Sequence, residues 1–274
     1  MLKYLFIIGI LLQLISCDSQ EDVDITIPFQ KKLVGGVIIG TSDATIAASL
    51  TYTTPVYNQQ TSVEPVIVTN ANAFVNEGSN QYHLTFDEPT GTYNTSLNGA
   101  SVQVGQTYRL IVSDGNETVT GQTTIPDGAD VKLTVQFDSA FRNNYFYHAN
   151  FNCQLFSDKK QYIRLVPTLF FDDSTQTEML MPSYTSIIQL NQGQSFNSNF
   201  GAHKIFQESK PIRIECKVLV CDEAYAKYFN TTTSASLYNV LPIGEPNFAY
   251  SNLSNKVGVI ASYNLTKTFY FQLQ

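Results

Sequence analysis

The stretch Tyr108-Arg-Leu-Ile-Val-Ser-Asp-Gly-Asn-Glu-Thr-Val-Thr-Gly-Gln-Thr-Thr-Ile125 decides the fold class. Tyr108, Leu110 and Val112 alternate with Arg109, Ile111 and Ser113, and a period of two sends the two sets to opposite faces of a strand. Asp114-Gly115-Asn116 then supplies residues that tolerate the backbone of a tight hairpin, and Glu117 to Ile125 returns as the second strand. Upstream, Lys32-Leu-Val-Gly-Gly-Val-Ile-Ile39 and Ile46-Ala-Ala-Ser-Leu-Thr-Tyr52 read as further strands. Roughly seven short strands in a hundred residues fit an immunoglobulin-like or transthyretin-like sandwich over 28–127.

Pro126-Asp-Gly-Ala-Asp130 is the expected seam, since Pro and Gly end a strand and the acids keep the junction wet. A second β-rich domain is expected over 128–274. Its clearest strand sets Tyr145, Tyr147, Ala149, Phe151, Cys153 and Leu155 on one face, and Phe146, His148, Asn150, Asn152 and Gln154 on the other. Ile212, Ile214, Cys216, Val218 and Val220 repeat the device against Arg213, Glu215 and Lys217. One short helix is expected near 222–230, capped by Asp222 and burying Tyr225, Tyr228 and Phe229, with Asn230-Thr-Thr-Thr-Ser234 weakening or ending it. Two closing strands follow, Val257 to Ala261 and Thr268 to Gln272. The fold class is therefore mainly β.

Composition agrees. Of 274 residues 43% are hydrophobic and 14% charged, enough to bury a core, and 16 Tyr with 18 Phe suit pleated, half-buried surfaces. The net charge of −7, from 16 basic and 23 acidic residues, argues against nucleic acid as a partner.

The chain opens with Lys3 and an apolar run from Tyr4 to Leu14, shorter than the ~20 residues that span a bilayer. It ends in Leu14-Ile15-Ser16-Cys17, the order found in a bacterial lipobox. Residues 1–16 are thus expected to be a signal peptide and Cys17 a lipidated N-terminus, leaving 274 − 16 = 258 mature residues. An ordinary signal peptide with an incidental Cys, or a short membrane anchor, is the competing reading. Over 17–27 the chain reads as an acidic tether carrying Asp18, Glu21 and Asp22.

Several segments together resemble a known family. They are Cys17 with Val23-Asp-Ile-Thr-Ile-Pro28, Lys32-Leu-Val-Gly-Gly-Val-Ile, Gly91-Thr-Tyr93, Gly105-Gln-Thr-Tyr-Arg-Leu110 and Thr123-Thr-Ile-Pro126. The strand into Asp222-Glu-Ala-Tyr-Ala-Lys-Tyr-Phe229 and the segment from Pro246 to Tyr263 complete the likeness. The chain resembles the Bacteroidota outer-membrane lipoproteins of domain of unknown function family 4249, departing at Asn255-Lys256, where the family usually carries a Gly. The resemblance implies an outer-membrane lipoprotein associated with a TonB-dependent transporter, and it brings no catalytic residues. It also makes Asp18, Glu21 and Asp22 candidates for a surface-export signal. In other Gram-negative bacteria an Asp directly after the Cys favours inner-membrane retention.

No residue pattern commits to a chemistry. His83, His148 and His203 lack metal-ligand spacing, and neither Gly-x-Ser-x-Gly nor a phosphate-cradling glycine motif occurs. Asp87-Glu88, Asp172-Asp173 and Asp222-Glu223 fit turn or cap duty better than paired catalysis, because neighbours on a strand point to opposite faces. Beyond Cys17, Cys153 and Cys216 share the apolar parity of their strands, so either a disulfide between them or three buried free thiols with Cys221 is open. Asp138-Ser139-Ala140 resembles a short O-glycosylation sequon, and Phe146 and Phe170 are the outward aromatics that could stack on a ligand.

The expected function is a non-enzymatic accessory that captures a ligand for a TonB-dependent transporter, with no cofactor or metal. A free-standing adhesin or carbohydrate- or peptide-binding scaffold is the first alternative, and a hydrolase with an unrecognised site the second.

Overall fold

The computed structural model describes residues 30–53, 66–97, 100–138, 146–172, 174–179, 187–203, 210–238 and 250–273. The first half holds β1 (Leu33–Gly40), β2 (Thr45–Tyr52), β3 (Val66–Ile67), β4 (Asn72–Glu77), β5 (Asn80–Asp87), β6 (Thr92–Ser96), β7 (Thr107–Ser113) and β8 (Thr118–Thr124). The second holds β9 (Val131–Asp138), β10 (Phe146–Leu155), β11 (Gln161–Phe171), β12 (Gln176–Glu178), β13 (Ile187–Leu190), β14 (Ser195–His203), β15 (Pro211–Cys221), the helix α1 (Glu223–Tyr238) and β16 (Gly258–Gln272). The protein is mainly β, with one helix among the described residues.

The β7–β8 hairpin forms as its sequence dictates. Asp114 Oδ1 accepts the N–H groups of Asn116 and Glu117, each at 2.9 Å, and Gly115 takes φ 91° at the tip. Tyr108, Leu110 and Val112 are the buried set, no more than 1% exposed. Strand β5 turns the corner of this unit: Asn80 to Leu84 pair with β4, and Thr85 to Asp87 pair with β6. The core enclosed runs from Leu33 to Ile125 and also takes in Leu253 and Ile260 from near the chain's end.

In the second half, the three-stranded sheet β14-β10-β9 faces β11, β15 and the end of β16. Phe151, Cys153 and Leu155 from β10 share one core with Leu165, Ile214, Cys216 and Val218. The parity read from the sequence therefore puts the correct faces inward on β10 and β15.

Two expectations need correction. The closing strands are one strand: β16 runs unbroken for 15 residues. Its first part, Gly258 to Tyr263, pairs parallel with β1 from Gly35 to Gly40. Its second part, Tyr263 to Gln272, pairs antiparallel with β15, with an irregularity between Val218 and Leu219. Polar Ser262 and Asn264, which interrupt the apolar pattern, are buried and bonded instead of looping out; Asn264 donates to the Pro126 carbonyl at 3.2 Å. One strand thus joins both halves in a single thirteen-stranded sheet.

The parallel approach of β1 and β16 depends on glycine. Gly258 has φ 103°, and a Cβ there would lie 2.0 Å from the Gly35 carbonyl oxygen. Just before it, Lys256 adopts φ 63°, the left-handed region glycine favours.

The second correction concerns α1, which extends to Tyr238 instead of ending near residue 230. The Thr231 hydroxyl donates to the carbonyls of Lys227 at 2.9 Å and Tyr228 at 3.0 Å, so it bonds within the helix. The same oxygen accepts the N–H of Tyr250 at 2.8 Å, tying the returning chain to the helix. Asp222 caps the start, its Oδ1 accepting the Tyr225 N–H at 2.7 Å.

Candidate functional site

Cys17, Asp18, Glu21 and Asp22 lie outside the described residues, as do Ser139 and Ala140 of the sequon-like triplet. Asp173 also lies outside the described residues, and the first acid of each pair serves local structure. Asp87 accepts the Thr90 hydroxyl at 2.6 Å in a turn, and Asp172 accepts the N–H of Lys210 at 2.9 Å. Asp222 caps α1, and Glu223 pairs with Lys227 at 2.9 Å one helical turn on. His83 is exposed and lies 5.0 Å from the Phe74 ring, while His148 stands on β10. Among the described residues no group of three His, Cys, Asp or Glu is placed to hold a metal ion.

Cys153, Cys216 and Cys221 are all buried free thiols, so the disulfide that parity allowed between Cys153 and Cys216 is not formed. Burial pushes all three thiols up, Cys153 to about 11, which suppresses the reactive thiolate. Phe170 is half-buried because the Arg213 guanidinium covers its ring at 4.3 Å.

A polar cluster joins the two halves just behind the seam. The Thr123 hydroxyl, on β8, donates to the Asp222 carboxylate and lies 2.8 Å from the Ser262 hydroxyl, which donates to the Thr124 carbonyl at 2.9 Å. Thr123 is 5% exposed and Ser262 0%. Burial raises the Asp222 carboxyl above its ordinary value, and the hydrogen bonds it accepts partly offset this. These hydroxyls are committed to bonds within the protein and closed to solvent, so the cluster holds structure together.

Beside it, at the mouth of the seam, is a cavity of about 240 Å³. Asp127, Lys159, Lys160, Gln161, Tyr162 and Glu223 line it. Asp127 and Lys159 close one side with a 2.6 Å ion pair, more than half exposed at both side chains. Lys160 lies over the Tyr162 ring at 5.4 Å. Gln161 is 6% exposed; its amide donates to the Gly128 carbonyl at 3.0 Å, while its Oε1 has no partner. The Gln161 oxygen is closed to solvent, so the accessible wall offers an ammonium group and an aromatic face, groups that hold a polar ligand through charge and ring contacts.

Reading the sequence missed this site because each contributor looks ordinary alone. One signal was present. On β11 the inward set is Gln161, Ile163, Leu165, Pro167, Leu169 and Phe171, and a lone Gln at the apolar parity marks a polar demand on the core side.

A family model described as a domain of unknown function (DUF4249) matches residues 20–268, which takes in both halves and the whole seam. The chain belongs to this family. No curated protein matches it. As a DUF4249 protein it carries the seam cavity well within the matched span, with β16 closing the match.

Proposed function

We propose that this DUF4249 protein is a lipid-anchored outer-membrane protein, exposed at the cell surface, that captures a polar ligand for a TonB-dependent transporter without catalysing a reaction. The observation that carries the capture reading is the cavity at the seam, where Lys160 lies over the Tyr162 ring beside the Asp127–Lys159 ion pair. The anchor rests on Lys3, the apolar run and Leu14-Ile15-Ser16-Cys17, with Asp18, Glu21 and Asp22 as export signal. The transporter rests on resemblance within the family.

A thermal-shift screen of the protein against soluble oligosaccharides and short peptides tests the capture reading. A compound that raises the melting temperature of the protein, and fails to do so for Lys160→Glu, supports it. Equal shifts in both proteins place binding elsewhere, and the absence of any shift favours the adhesin or scaffold.

A further inference from the structure

We propose that the free edge of β16 is where two copies of this chain pair, strand against strand. On one side β16 is bonded to β15 from Tyr263 to Gln272. On the other, β1 covers only Gly258 to Tyr263, after which the Thr41 hydroxyl accepts the Leu265 N–H at 2.9 Å. From Lys267 onward no described residue pairs with that second side.

The direction of the open groups follows from the ladder. The Leu273 N–H donates to the Ile212 carbonyl at 2.8 Å, so alternate residues, Phe271 and Phe269, turn their peptide groups towards β15. Those of Thr268, Tyr270 and Gln272 turn outward. The side chains divide in step: Phe269, Phe271 and Leu273 pack against the second core, whereas Tyr270 is 61% exposed on the outer face. Tyr270 is steadied there by Arg213, whose guanidinium lies 5.9 Å from its ring and 4.3 Å from that of Phe170.

Free edges of soluble proteins are usually blunted by charge, proline or a bulge. Thr268-Phe-Tyr-Phe-Gln-Leu273 has no charge and no proline, and its irregularity lies upstream, beside Val218 and Leu219. Among the described residues such an edge is a template for a further strand.

A second copy fits as that strand in register and in charge. Antiparallel pairing about a two-fold axis at Tyr270 sets Tyr270 opposite Tyr270, Thr268 opposite Gln272, Phe269 opposite Phe271 and Lys267 opposite Leu273. Every outward peptide group from 268 to 272 then meets another outward group, and the aromatic rings meet across the axis as a cross-strand pair. Lys267, the only charge on the edge, meets no like charge. Moving the axis to Thr268 would drive Gln272 against Asn264, beside Leu265, where Thr41 already holds the edge. Moving it to Gln272 would leave Thr268 without an opposite residue on the edge, so Tyr270 is the centre that pairs the whole open edge without collision.

The test uses the full chain carrying Cys17→Ser, so that no lipid drives association, in sedimentation equilibrium. The parent is expected to sediment as a dimer. Tyr270→Pro removes an outward N–H that β15 does not use, and Tyr270→Lys sets two like charges at the axis; both are expected to sediment as monomers, with a cooperative melting transition that, unlike the parent's, does not rise with protein concentration. If the proline variant fails to fold, the lysine variant decides. With Tyr270→Cys, a short bismaleimide should link two copies in membranes, because Cys153, Cys216 and Cys221 are buried. A monomeric parent, a dimer that survives in the lysine variant, or a cross-link from position 270 to a different protein would each overturn the proposal.

Discussion

The hydroxyl of Thr123 donates to the carboxylate of Asp222, a residue that also caps α1 through the N–H of Tyr225. The strand that closes the first sandwich thereby holds the first turn of the helix on the second half. Replacing Asp222 with Ala removes the cap and leaves the buried Thr123 hydroxyl only the Ser262 hydroxyl as partner, a cost of about 1–3 kcal/mol when the two effects are combined. Urea unfolding of Asp222→Ala should show this loss with an unchanged slope, and Thr123→Val should lose less because the cap remains.

Two carboxylates should tilt the pH dependence of stability in opposite directions. The Tyr52 hydroxyl, 2.7 Å from Asp114, holds that carboxyl below its ordinary value near 3.8. Its contribution is full above that value and is lost as pH falls through the depressed one. Asp222 is raised by burial, so the folded state prefers its protonated form. Its contribution is full below the ordinary value and is lost as pH rises through the raised one. Melting temperatures measured between about pH 3 and 7 should therefore show a shallower acid loss for Asp114→Asn and a smaller decline with rising pH for Asp222→Asn.

Gly258→Ala should be among the most damaging single-atom additions. The positive φ strains any side chain, and the new Cβ would meet the Gly35 carbonyl carbon and oxygen across the parallel β1–β16 pairing. Backbone strain alone costs about 1–3 kcal/mol, and the lost pairing adds to it. Gly115→Ala, with positive φ but nothing near its Cβ, isolates the strain. A denaturation midpoint for Gly258→Ala no lower than that of Gly115→Ala would contradict the close approach.

Cys153, Cys216 and Cys221 should resist a charged disulfide reagent in the folded protein and react together on unfolding, since burial both shields them and suppresses the thiolate. Rapid labelling of Cys153 or Cys216 under native conditions would mean that the second core opens, and rapid labelling of Cys221 that α1 lifts from the sheet.

The sequence was most legible where a strand has one wet and one dry face. Tyr108, Leu110 and Val112 on β7 and Ile214, Cys216 and Val218 on β15 alternate as burial requires. It was least legible where the partner is far along the chain. The run from Ser262 to Lys267 looks like a break because Ser262 and Asn264 are polar, yet both are satisfied by groups brought in from β8 and the seam. Thr231 looks like a helix breaker because nothing local reveals that its hydroxyl will bond inside the helix and to Tyr250. The seam cavity was hidden for the same reason: Asp127, Gln161 and Glu223 meet only when β16 has joined the two halves.

The central claim, capture on behalf of a transporter, is tested most directly by cross-linking the tagged protein in its native cells and identifying what is recovered with it by mass spectrometry. The account predicts stoichiometric recovery of one TonB-dependent transporter, lost when Cys17→Ala removes the anchor. Recovery of no specific partner, or of the same partner without the anchor, would contradict it.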